Sequence, residues 1–219
     1  MVTVLGAVLD PDEVAAVREA AERLEYEDGR ASAGRYAREV KANRQARPSK
    51  ALDAILESVR TRLRGNDLFR SLARPRGFAR MLVSRYGPGM AYGLHVDDAI
   101  MKGARTDLSF TLFLTGPEDS EGGGLIIDDP VEERVIHPAA GDLVLYPTSA
   151  LHRVEPVRAG ERLAVVGWVT SWVRDAARRD VLHDLDVAAR AIFEASGKTP
   201  AFDRLFKAKS NLERMWAEG

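Results

Sequence analysis

This chain has four histidines and no cysteine, so any metal it holds must be bound through imidazole, carboxylate or water. One histidine stands two residues before a carboxylate, in Tyr92-Gly93-Leu94-His95-Val96-Asp97-Asp98, just after the glycine-punctuated Tyr86-Gly87-Pro88-Gly89-Met90. In a strand, residues i and i+2 project from one face, so His95 and Asp97 can aim at a common point. A third ligand must come from elsewhere. His152 opens a strand-like run 55 positions after Asp97, far enough to cross a sandwich and return. Two histidines and one carboxylate on one face of a metal are the set associated with non-haem Fe(II), and they leave coordination positions open for a co-substrate and O₂. A His-x-Asp pair also arises by chance, and by itself it could be no more than two polar residues ending a strand.

The stretch beyond His152 adds weight. Ten residues on, Arg162 sits in Gly160-Glu161-Arg162-Leu163-Ala164-Val165-Val166-Gly167-Trp168, an otherwise apolar strand. A guanidinium buried in such a strand is costly unless paired, and a carboxylate met through two parallel hydrogen bonds is the partner its fork fits best. Glu161 faces the other way. The missing partner is therefore either a ligand's carboxylate or some distant Asp.

The elements that must position these groups can be read from pattern. Asp10-Pro11-Asp12-Glu13 predicts a helix start, with Asp as cap, Pro in the first turn and Glu reaching back. Val14, Val17, Ala21 and Leu24 continue it at helical spacing. A polar segment from about Asp28 to Pro48 reads as irregular. Leu52, Ile55, Val59 and Leu63 mark a second helix ending near Gly65. From Phe78 to Trp172 the texture changes to about eight short strand-like runs separated by Gly, Pro, Asp and Ser, including turns at Gly122-Gly123-Gly124, Asp129-Pro130 and Pro138-Ala139-Ala140-Gly141-Asp142. That spacing predicts a β-sandwich or barrel. Helical pattern returns after Arg174, breaks at Gly197-Lys198-Thr199-Pro200, and resumes through Phe202 to Trp216. The expected organisation is an N-terminal helical support over residues 1–76, a β core over 77–174 and a C-terminal helical extension over 175–219.

Composition bounds the function. With 219 residues, 45% apolar and 30% charged, the chain suits one well-buried domain. A net charge of −1 carries no electrostatic footprint for nucleic acid or a membrane surface. No signal-like or spanning stretch is apparent, so the expected compartment is the cytoplasm.

His95-x-Asp97, then His152, then Arg162 ten positions on resembles the motif of the 2-oxoglutarate- and Fe(II)-dependent dioxygenases. Further segments resemble the bacterial PKHD-type hydroxylases, a prolyl-4-hydroxylase-like branch. They are Val40-Lys41-Ala42-Asn43-Arg44-Gln45, Arg105-Thr106-Asp107-Leu108-Ser109, Thr111-Leu112-Phe113-Leu114, Gly141-Asp142-Leu143-Val144-Leu145-Tyr146-Pro147, Leu151-His152 and the helical tail. The resemblance covers almost the whole chain. It implies an α+β, mainly β fold, a double-stranded β-helix (jelly roll) flanked by N-terminal and C-terminal helices. It implies that His95, Asp97 and His152 bind Fe(II), that Arg162 binds the distal carboxylate of 2-oxoglutarate, that Tyr86 hydrogen-bonds this co-substrate and that Trp168 packs beside the site. Fe(II), 2-oxoglutarate and O₂ are the implied cofactors, with ascorbate as a reductant. The implied partner is a small-molecule or peptide substrate, and a homodimer stays open. One departure is visible: Gly124 stands where the family pattern carries Glu.

The implied reaction is hydroxylation of an unactivated C–H bond with release of succinate and CO₂. Asp97 argues against a halogenating variant, in which a small residue replaces the carboxylate. Two other readings use the same ligands: a non-catalytic jelly roll sensing iron or 2-oxoglutarate, and a zinc hydrolase. Hydrolysis needs no dicarboxylate anchor, so Arg162 speaks against the latter. His137, His183 and Asp98 are expected outside the ligand set. Substrate contacts are expected from Lys41–Gln45 and the Ala99–Arg105 loop.

Overall fold

The computed structural model describes residues 2–128 and 133–218. The first helix forms as its sequence dictates. In α1 (Pro11–Glu22), the Asp10 side chain accepts from the Glu13 amide while Glu13 reaches back to the Asp10 amide, both at 2.9 Å. The edge strand β1 (Thr3–Leu5) precedes it and β2 (Tyr26–Asp28) follows. Two short 3₁₀ turns then lead to β3 (Lys41–Ala42) and β4 (Arg44–Ala46). The segment expected to be irregular thus supplies short strands. Helix α2 (Lys50–Gly65) is capped by Ser49, and a further short helix, α3 (Asp67–Ala73), buries Phe69, Leu72 and Ala73 and ends at Arg74 in the left-handed region (φ 43°).

The core strands are β5 (Pro75–Tyr86), β6 (Ala91–His95), β7 (Ile100–Met101), β8 (Ala104–Arg105), β9 (Leu108–Phe113), β10 (Ser120–Gly122), β11 (Leu125–Asp128), β12 (Glu133–Ile136), β13 (Leu143–Pro147), β14 (His152–Val154), β15 (Val157–Gly160) and β16 (Arg162–Ser171). They are more numerous than the eight expected, because several span only two to four residues. The turn at Asp129-Pro130 lies outside the described residues. The larger sheet runs β1-β13-β9-β16-β5-β4-β2 and the smaller β12-β11-β14-β6-β3, with every pairing antiparallel. This is the expected jelly-roll architecture. Strands β1, β2 and β4, from the N-terminal region, extend the large sheet at its two edges.

Period-two alternation divides the work of the large sheet. Met81 and Val83 of β5, Phe110 and Leu112 of β9, and Leu163 and Val165 of β16 bury against Val17, Val59, Leu63 and Phe69 of the N-terminal helices. The intervening residues, among them Arg80, Ser84, Tyr86, Arg162 and Trp168, face a pocket on the other side. Helices α4 (Ala176–Ser196) and α5 (Pro200–Trp216) close the chain. Asp186 of α4 meets Arg74 and Lys209, and Arg74 also pairs with Glu213 of α5. Among the described residues no helix is long and apolar enough to cross a membrane.

Candidate metal centre

His95 is the last residue of β6, and His152 is the first residue of β14. The two are cross-strand partners, with ring centroids 4.2 Å apart. Asp97 does not continue the strand, contrary to the i, i+2 expectation. The chain leaves the sheet at Val96, and the loop swings the carboxylate back over the two imidazoles. Its oxygens lie 3.8 Å from His95 Nε2 and 3.7 Å from His152 Nε2, too far for hydrogen bonds and leaving a gap between the ligand atoms. One donor atom from each of the three residues falls within 4.8 Å of the others, and both histidines are buried.

The remaining ring nitrogens fix the tautomer. Nδ1–H of His95 donates to the Gly93 carbonyl at 2.8 Å, and Nδ1–H of His152 donates to the Ala150 carbonyl at 2.9 Å. With that proton committed, each Nε2 lone pair is free to bind a cation, the usual arrangement behind a metal-ligating histidine. Burial, then the neighbouring His152, pushes the His95 pKa down and favours the neutral ring a metal requires. Ser109 donates to Asp97 Oδ2 at 2.8 Å and so holds the carboxylate. The sequence carries a faint signal for Ser109, a hydroxyl alternating with apolar residues in Leu108-Ser109-Phe110-Thr111. The carbonyl acceptors leave none, because any residue could provide them.

Arg162 is 1% exposed, the largest fully buried side chain among the described residues. Its guanidinium carbon lies 5.0 Å from the ring centroids of both Tyr86, its cross-strand partner, and Phe113. Nε and Nη1 are buried with no hydrogen-bond partner, and no carboxylate pairs with the group among the described residues. Burial pushes its pKa down, opposed only by the Tyr86 and Tyr146 hydroxyls. Glu161 indeed turns away and binds Arg85 at 2.5 Å. Gly123, at φ +77°, makes the space: a Cβ there would stand 3.2 Å from Arg162 Cδ, in a backbone conformation that side chains rarely adopt.

Tyr86, with its pKa raised by burial, and Trp168 line the same pocket, and the Trp168 indole N–H has no partner. The pocket opens to solvent between the two sheets. Tyr92 stacks on His95 with ring centroids 3.6 Å apart. Asp98 lines the pocket without joining the metal cluster. His137 stands outside that cluster, and His183 bonds Ser71 at 2.8 Å near the C-terminal helices. A side chain at Gly124 would run into the Glu155 carboxylate, 2.8 Å from a Cβ, so a neighbouring segment already fills that space with a carboxylate.

A profile of the 2OG-Fe(II) oxygenase superfamily matches residues 81–170. The chain is 46% identical over 212 residues to a PKHD-type hydroxylase of Picosynechococcus, covering 96% of this chain and 97% of the relative. It is 51% identical over 193 residues to one from Maricaulis maris (88% of each chain), and 44% identical over the full length of both chains to one from Gloeothece citriformis. Among solved structures it shares its fold with a Pseudomonas putida prolyl-4-hydroxylase (TM-score 0.53, 23% identity, 78% of this chain and 92% of that one). It also shares it with HygX from Streptomyces hygroscopicus, solved with nickel and 2-oxoglutarate (TM-score 0.57, 15% identity, 78% and 84%).

Proposed function

Since the chain belongs to the PKHD-type hydroxylases of the 2OG-Fe(II) oxygenase superfamily, and is a 2-oxoglutarate-dependent hydroxylase using Fe(II) and O₂, we propose that His95, Asp97 and His152 hold the iron and that Arg162 binds the distal carboxylate of 2-oxoglutarate. The observation that carries this reading is the isolation of Arg162. A charge removed from water with two orphaned N–H groups and no counter-ion is an arrangement a fold tolerates poorly. A dicarboxylate reaching in from the metal would supply the missing acceptors in the geometry a guanidinium favours.

The residues fit the groups they would hold. Two neutral imidazoles with free Nε2 lone pairs and one held carboxylate form an N₂O donor set suited to ferrous iron. Iron bound there, with 2-oxoglutarate and O₂, supplies an oxidant able to take hydrogen from an unactivated C–H bond, releasing succinate and CO₂. The chain's own part is positioning. Ser109 and the two carbonyls set the ligand orientations, Arg162 and Tyr86 orient the co-substrate, and the sheet walls with Trp168 limit water at the reacting carbon. The substrate is a small molecule or a peptide.

Iron affinity tests the ligand set. Under anaerobic conditions the wild-type chain should bind one Fe(II). His152→Ala should lose that site and its turnover while keeping the fold. His137→Ala and His183→Ala should bind iron as wild type does. Full iron affinity in His152→Ala would mean the set is wrong.

A further inference from the structure

Two cations in the pocket take no part in holding iron or 2-oxoglutarate: Lys41, from the segment expected to contact substrate, and Arg80. Lys41, on β3, is 7% exposed. Its ammonium donates to Ser32 Oγ at 3.0 Å and sits 4.7 Å above the centre of the Tyr92 ring, which itself stacks on His95. Arg80, on β5, half-buried, faces the same pocket and makes no ion pair or hydrogen bond among the described residues. Of the carboxylates nearby, Asp97 is placed on the metal and Asp28 is paired with Arg30 at 2.8 Å, which leaves Asp98 on the pocket wall against two cations. Burial, then the charge of Arg80, pushes the Lys41 pKa down to about 8, against the pull of Asp97 and Asp28. Ser84, which lines the same pocket, has a buried hydroxyl without a partner that could donate to an anion. Two like charges and a free hydroxyl around one concavity describe a site waiting for an anion.

That anion is not 2-oxoglutarate. Arg162 pairs across the sheet with Tyr86, whereas Arg80 pairs with Trp168, six residues along the same ladder. Six residues of strand span roughly 20 Å, beyond the reach of one five-carbon dicarboxylate chelated to the metal. Lys41 lies only two ring contacts from the iron-binding site. We propose that Lys41 and Arg80 form an oxyanion subsite for the hydroxylated substrate, which therefore carries a carboxylate or phosphate within a small molecule's length of the C–H bond attacked. The inference rests on the placement of iron and 2-oxoglutarate given above.

The test uses the full chain loaded anaerobically with Fe(II) and saturating 2-oxoglutarate, so that Arg162 is blocked. Binding of matched probes is followed by ligand-detected NMR: benzoate against benzamide, and phenyl phosphate against phenol. The anion should bind at least tenfold more tightly than its neutral partner. Lys41→Met and Arg80→Met should each erase most of that preference, while 2-oxoglutarate affinity stays within twofold of wild type and reports an intact fold. A gain for benzoate alone assigns a carboxylate, and a gain for phenyl phosphate alone assigns a phosphate. Equal binding of anions and neutral probes, or a preference that survives both substitutions, overturns the subsite. Failure of 2-oxoglutarate itself to bind the wild-type protein would instead sink the parent assignment and this inference with it.

Discussion

Two arginines largely withdrawn from water, Arg74 and Arg162, are treated oppositely by the protein. Arg74, at the junction of α3 and β5, is ringed by acids. It pairs with Asp186 and Glu213, Lys209 meets the same Asp186 at 2.5 Å, and Ser71 adds a hydrogen bond to Asp186 at 2.8 Å. Arg162, buried more deeply, has aromatic rings and no carboxylate. In the first network the charge meets its counter-charges within the chain, with only Arg74 Nε left unpartnered, and it fastens the C-terminal helices to the core. The second is complete only with something from outside. A satisfied buried charge reports architecture, and an unsatisfied one reports a ligand.

The contrast can be broken most forcefully at Arg74. Arg74→Ala leaves Asp186 and Glu213 with Lys209 alone as counter-charge, and should cost about 2–3 kcal/mol in a denaturant titration while leaving 2-oxoglutarate affinity unchanged. Arg162→Met should do the reverse. It removes an unpaired buried charge, so the ligand-free protein should be no less stable than wild type. Equal destabilisation by both changes would erase the distinction.

Ser109 sharpens the comparison at the metal. Losing the hydrogen bond that holds Asp97 should weaken Fe(II) binding by roughly 10- to 100-fold, the usual scale for groups that orient metal ligands, with little change in the melting temperature. Unaltered iron affinity in Ser109→Ala would show that the Val96–Asp98 loop positions the carboxylate unaided.

The smallest effect is expected at Lys41. Its folded pKa, about 8, lies below the ordinary 10.5. Below pH 8 the folded chain carries the full cost of a buried charge. Between pH 8 and 10.5 the unfolded chain keeps a proton that the folded one has released, so stability contributed by this group rises with pH. Lys41→Met should therefore stabilise the ligand-free protein by about 1–2 kcal/mol at roughly neutral pH, with the advantage shrinking to nothing as pH approaches 10.5. A pH-independent difference would mean that Lys41 is not strained by its surroundings.

The chemistry of the site is more legible in the sequence than its mechanics. His95, Asp97, His152 and Arg162 can be chosen from the sequence because residue type and spacing constrain what such groups can do together. Asp97 is reached for a partly wrong reason, since the strand ends at His95 and a loop brings the carboxylate round. The strands within residues 28–48 are invisible because the side chains they turn into the pocket, Lys41, Asn43 and Gln45, are themselves polar, so the apolar alternation that marks a strand never appears. Arg80 is hidden for a related reason: an arginine in a strand looks solvated until the opposing wall is known.

Everything assigned to the pocket turns on whether Arg162 holds 2-oxoglutarate. The direct measurement is an anaerobic titration of 2-oxoglutarate into the Fe(II) protein, followed by calorimetry and by the visible absorption of the chelate, for wild type, Arg162→Lys and Arg162→Ala. Truncating one member of a buried charge pair costs about 3–5 kcal/mol. At about 1.4 kcal/mol per decade, Arg162→Ala should weaken binding by roughly 100- to 5,000-fold. Arg162→Lys, which keeps the charge but not the fork, should fall between the two, and iron affinity should be the same in all three. If Arg162→Ala binds 2-oxoglutarate as tightly as wild type, the anchor lies elsewhere and the orphaned arginine has another purpose.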